Sequence, residues 1–111
     1  MKKYILFISI VFSSCTYDKI PVPVCESDSP SFSECILPII ETNCKSCHSY
    51  GGEGQILHLT NYDDVVNAIE DNDLLDRIQA NDGNMMPPTG KMSQEDIERI
   101  IKWSDSGKKD D

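Results

Sequence analysis

The sequence predicts a small all-α domain of about four short helices, closed around a bound group that supplements its core. Three observations carry this expectation. Apolar residues recur at helical spacing in four separate segments, each beginning near a serine, threonine, asparagine or aspartate able to cap it. Hydrophobic residues make up 39% of the 111 residues and aromatics only 7%, which is lean for a self-sufficient core. One pentapeptide, Cys44-Lys45-Ser46-Cys47-His48, is built to attach something.

That pentapeptide is the C-x-x-C-H pattern, in which each thiol adds to a haem vinyl group and the imidazole becomes an axial ligand of the iron. Two intervening residues at the end of a helix let both sulfurs reach one edge of a macrocycle while the histidine points under its face. C-x-x-C alone also serves thiol-disulfide sites and half of many zinc sites, so the surrounding chain has to decide.

The N-terminus speaks for export. Met1-Lys2-Lys3 is a basic start, Tyr4 to Phe12 is a short apolar run, and Ser13-Ser14 precede Cys15. The run is too short to span a bilayer as a helix. It resembles a bacterial lipoprotein signal peptide over residues 1–14, with Cys15 as the lipidated first residue of the mature chain, although Phe12 stands where an aliphatic residue is usual. A plain secretory signal is the alternative. Either places the chain outside the cytoplasm, facing the periplasm or the cell surface, and c-type haem attachment is also an extracytoplasmic process.

The formal charge is −9, and loss of Lys2 and Lys3 would carry it two units further. Such a surface repels nucleic acid and suits a redox partner with a basic docking patch; the plainer reading is a solvated face.

Residues 15–30 carry Pro21, Pro23 and Pro30 among serines, without helical period, and read as a lipidated, extended tether. The domain is expected over residues 31–107. Ser31 or Ser33 can cap a first helix running through Glu34, Ile36, Ile39 and Ile40 towards Cys44, with Phe32 as a staple and Pro38 confined to the first turn. Ser49 to Gly54 form a glycine-rich loop; it lacks the lysine of a phosphate cradle, and its glycines suit close passage of the backbone past a porphyrin. Thr60 or Asn61 can cap a helix from Tyr62 to Glu70 that turns Val65, Val66 and Ile69 inward, with Asp63 and Asp64 in its positive first turn. Asp73 would cap Leu74 to Ala80, burying Leu74, Leu75 and Ile78. The last helix starts at Ser93, with Asp96 completing a capping box and Met92 stapling to Ile97. It carries a stripe of Ile97, Ile100, Ile101 and Ser104, places Trp103 near a crossing with the first helix, and stops at Gly107. Residues 108–111 are expected to fray.

Between the last two helices lies Asn84-Met85-Met86-Pro87-Pro88-Thr89-Gly90. A thioether binds iron weakly and needs a rigid loop, which the two prolines after Met86 supply. Here the order of features becomes specific. N-C-x-x-C-H at Asn43 to His48, then Gly51, Gly52 and Tyr62, then Met86-Pro87, then Trp103 and Gly107 resemble a class I mono-haem cytochrome c, and are similar to the small Bacteroidetes-type cytochrome c lipoproteins. The resemblance implies a cytochrome c-like fold around one covalent haem c, with Cys44 and Cys47 as thioether anchors. It also implies His48 and Met86 as axial ligands, Met85 being the rival to Met86. Some relatives have a cysteine at the start of the last helix, where this chain has Gln94 and Glu95. Cys25 and Cys35 remain after lipidation and haem attachment, and in an oxidising compartment they are expected to pair.

The expected function is that of a one-electron carrier with no substrate turnover. An open-site alternative, a ligand sensor or peroxidase-like protein, would need polar distal groups; Arg77 and Arg99 read as solvent residues on helices. His58 reads as a solvated loop histidine and Met92 as a staple. A thiol-disulfide or zinc module would use the same cysteines, yet Cys25 and Cys35 stand ten positions apart, wider than zinc-ligand spacing.

Overall fold

A computed structural model describes residues 24–111. The proposed leader, Cys15 and the first part of the tether lie outside the described residues. Within them a 3₁₀ turn at Val24–Glu26 leads to a π-helical turn at Phe32–Ile36, which runs directly into α1 (Leu37–Asn43). Then come α2 (Tyr62–Asp71), α3 (Leu74–Gln79) and α4 (Gln94–Asp105), with no strand among the described residues. The all-α expectation holds, with four α-helices among the described residues.

A serine begins the wide first turn. Ser31 caps it, its hydroxyl accepting from the Glu34 amide at 3.2 Å. The Ser31 carbonyl accepts from both Cys35 and Ile36. Pro38 then stands in the first turn of α1, where its missing N–H does no harm. Because Ser31 is the cap, Phe32 is the first helical residue and not a staple ahead of it. Its ring packs at 5.3 Å from those of both Tyr62 and Trp103.

The other caps follow local chemistry with one exception. Asn61 accepts from the Asp64 amide at 3.0 Å, and the Asp64 carboxylate reaches back to the amide and hydroxyl of Thr60. Ser93 accepts from the Asp96 amide at 3.2 Å, while the Asp96 carboxylate turns to Arg99 instead of closing the box. Asp73 is the exception: it sits at the start of α3 with φ 56°, and its side chain makes no capping bond. Short polar residues tolerate the left-handed region, so it serves as a backbone corner between α2 and α3.

The core joins the first and last helical segments. Phe32, Ile36 and Ile40 from the first helical segment meet Ile97, Ile100 and Trp103 from α4, all buried. The buried line of α4 is thus Ile97–Ile100–Trp103, with Ile101 and Ser104 at its margin. On α2 the buried pair is Val65 and Ala68, and on α3 Leu74 and Ile78.

Residues 108–111 are held where fraying was expected. Gly107, at φ 109°, reverses the chain, and the Lys108 amide donates back to the Trp103 carbonyl. Tyr62 Oη donates to the Lys108 carbonyl at 2.6 Å, Trp103 Nε1 to that of Lys109 at 3.0 Å, and the Asp111 carboxylate accepts from Ser31 Oγ and the Phe32 amide, each at 2.8 Å. Polar groups at the edge of an aromatic cluster need partners, and the tail supplies them.

Candidate functional site

The attachment peptide continues the helical path of α1 by hydrogen bonding. The Cys44 and Lys45 amides donate to the Ile40 carbonyl at 2.9 and 3.1 Å, and the Cys47 and His48 amides to the Cys44 carbonyl at 3.2 and 2.9 Å. These tight turns bring Cys44, Cys47 and His48 to the rim of one cavity of about 500 Å³, within the size range of cofactor sites. Cys44 is half-buried and Cys47 exposed, and the two are not bridged to each other. Burial, with neighbouring Cys47, pushes the Cys44 thiol up to about 11. A thiol-disulfide active site works in the opposite direction, lowering the pKa of its nucleophile.

His48 is oriented from behind. Its Nδ1 lies 2.8 Å from the Leu57 carbonyl oxygen and 3.0 Å from that of Gly54, so the Nδ1 hydrogen points at the backbone and Nε2 is left as the free lone pair. A carbonyl behind a ligating imidazole fixes tautomer and ring direction. The loop that supplies these carbonyls is folded onto the attachment peptide: the Gly54 amide donates to the Cys47 carbonyl at 2.8 Å and the Leu59 amide to that of His48 at 2.8 Å.

Two glycines make this approach possible. A Cβ on Gly52 would collide with the Cys47 carbonyl, and one on Gly54 would sit 2.7 Å from His48 Cε1 and Nδ1. The crowding at these two positions is against the attachment peptide and the histidine ring.

Met86, Pro87 and Pro88 line the same cavity; Met85 is not on its wall. The Met86 amide donates to the Arg77 carbonyl at 3.0 Å, which ties the loop to α3. Apolar walls come from Ile40, Leu57, Leu59, Leu74, Ile78 and Ile100. Met92, expected as a staple, is buried as a staple should be and also lines the cavity. His58 is not on the wall; its ring stacks near Tyr50, with centroids 4.6 Å apart.

Arg77 is the residue that sequence reasoning misplaced. It lines the cavity, whereas Arg99 is engaged with Glu95, Asp96 and the Cys25 carbonyl. The signal was present in the spacing: Leu74, Arg77 and Ile78 fall at i, i+3 and i+4, one face of a helix.

Cys25 and Cys35 are joined in a disulfide, with Cα atoms 5.2 Å apart. This removes them from any four-thiolate zinc site. Among the described residues no three histidine, cysteine or carboxylate side chains cluster to hold a metal ion.

The lining of one cavity brings together two thiols, an imidazole with Nε2 free, a thioether and apolar side chains, the group types a haem site uses. Fold and site together define a c-type cytochrome. The family model for cytochrome c oxidase, cbb3-type, subunit III matches residues 38–103, more than half of the chain, and the chain belongs to this family of cytochrome c domains. No curated protein and no solved structure matches it. The protein therefore carries covalent haem c and transfers electrons, and domains of this family work outside the cytoplasm. Among the described residues no helix is long and apolar enough to cross a membrane.

Proposed function

We propose that this protein is a membrane-tethered, single-electron carrier whose haem is anchored by Cys44 and Cys47 and ligated by His48 and Met86. The haem supplies a one-electron ferric–ferrous couple. The observation that carries the ligand assignment is that His48 and Met86 line the same cavity while Met85 does not. The chain's own residues do the rest. Gly54 and Leu57 orient the imidazole, the Arg77 carbonyl and the prolines hold the thioether loop, and Ile40, Leu59, Ile78 and Ile100 keep water from the site. A methionine ligand and an apolar surround both favour the ferrous form, which suits a carrier accepting electrons at moderate potential.

The tether rests on Cys15, which follows the leader-like stretch, and on the resemblance to cytochrome c lipoproteins. The partner is a redox protein with basic docking residues, consistent with the formal charge of −9.

The test uses haem-loaded protein. Sharp reduced bands should survive acid-acetone extraction, showing covalent attachment. Carbon monoxide should bind the reduced wild type slowly or not at all, and should bind Met86→Ala readily and Met85→Ala no better than wild type. Rapid binding to the wild type would favour an open-site sensor or peroxidase-like protein instead.

A further inference from the structure

We infer that the loop from Tyr50 to Ile56 is the docking surface for the electron-transfer partner, and that it fits a redox protein bearing an apolar patch ringed by lysine or arginine. The inference rests on the electron-carrier reading and names the face that carrier uses. Tyr50 is 90% exposed and Ile56 100% exposed, the large hydrophobic side chains left open to solvent among the described residues. Both stand on a built loop. The Gly52 amide donates to the Ser49 carbonyl, the Gly54 amide to Cys47 and the Leu57 amide to Gly54, while Gly52 and Gly54 press directly on the attachment peptide. Tyr50 is braced against the His58 ring. The fold thus holds two apolar side chains outward although an inward-facing core lies close by.

Their position gives the exposure a use. Ile56 is the neighbour of Leu57, whose carbonyl holds His48, and Tyr50 follows His48 by two residues. A partner seated here lies next to the attachment rim, where a short path favours transfer of one electron from this protein to the oxidised partner, with no bond made or broken. Charge selects the occupant. Exposed Glu53 lies between the two apolar residues, and the whole chain carries −9, so a second copy would bring like charges together while a cationic rim would be attracted. Small apolar patches with a charged rim are the usual form of transient redox interfaces.

The experiment compares oxidation of reduced, haem-loaded protein by two oxidants in stopped flow: lysine-rich mitochondrial cytochrome c, as a protein probe, and ferricyanide, which needs no docking face. The Tyr50→Ser/Ile56→Ser double variant should lose about tenfold in rate with the protein probe and retain its ferricyanide rate. Glu53→Gln should flatten the fall in rate with added salt. Equal protein-probe rates for wild type and double variant overturn the proposal. So does a concentration-dependent wild-type dimer that Ile56→Ser abolishes, since the occupant would then be a second copy. A wild type that reduces neither oxidant overturns the electron-carrier reading itself, which separates the two failures.

Discussion

His48 Nδ1 and the carbonyl oxygen of Leu57 are 2.8 Å apart, and that contact joins the attachment peptide to a loop nine residues further along the chain. The imidazole direction is therefore decided by where residues 54–57 run. Gly54 is the tightest point on that path, and Gly54→Ala would set a methyl group 2.7 Å from the ring. The substitution should cost about 1–3 kcal/mol of stability through overpacking and tilt the imidazole. Denaturant unfolding of the haem-loaded protein measures the first. Increased carbon monoxide binding or a changed reduced spectrum reports the second, and a variant with wild-type stability and spectrum would show that the loop can yield.

Arg77 brings a cation to the cavity wall. Haem carries two carboxylate side groups, and a fixed cation beside the site also favours the less positive ferrous iron. Arg77→Gln should lower the reduction potential by an amount corresponding to roughly 1 kcal/mol at an effective permittivity near 20. Arg77→Lys should recover most of the shift. Spectroelectrochemical titration checks both, and equal potentials for wild type and Arg77→Gln would return the residue to solvent.

Trp103 is fully buried between Phe32 and Tyr62 and donates to the Lys109 carbonyl. Trp103→Ala should cost about 3–5 kcal/mol, and Trp103→Phe less, chiefly through the unpaired carbonyl and the lost ring volume. Both are read by chemical denaturation, with the Met86 loop spectrum as a local control.

Asp111 accepts hydrogen bonds from Ser31 and the Phe32 amide, and the Ser31 bond is the main reason its carboxyl is held below the ordinary value of 3.8. A depressed folded-state pKa stabilises the fold above the unfolded value, and that contribution disappears as the pH falls through the folded value. Wild type should therefore exceed Asp111→Asn in stability at neutral pH, and the gap should close below pH 3.8. Unfolding midpoints of the two proteins across that range are the measurement; a gap independent of pH would mean that the contact matters through shape alone.

Much of this architecture is written locally. Asn61 and Ser93 cap their helices because the donor amides lie only three residues ahead, within reach of any chain that turns there. The C-x-x-C-H pentapeptide is equally local, since its spacing alone brings two thiols and an imidazole to one end of a helix. The misreadings share a different cause. Asp73 has the composition of a cap and serves as a left-handed corner because α2 and α3 must pack closely. Arg77 has the composition of a solvent residue and faces the cavity because Leu74 and Ile78 bury the same face.

By itself the sequence determined the helix count, the attachment chemistry and the order in which histidine and methionine arrive. Only the tertiary structure decided which of two adjacent methionines looks into the cavity, which carbonyls turn His48, and that residues 108–111 close over Trp103. The physical reason is distance along the chain. Capping and attachment are satisfied within a few residues. The direction of Met86 depends on the hydrogen bond from its amide to the Arg77 carbonyl, and the hold on Phe32 comes from Asp111, 79 residues away along the chain.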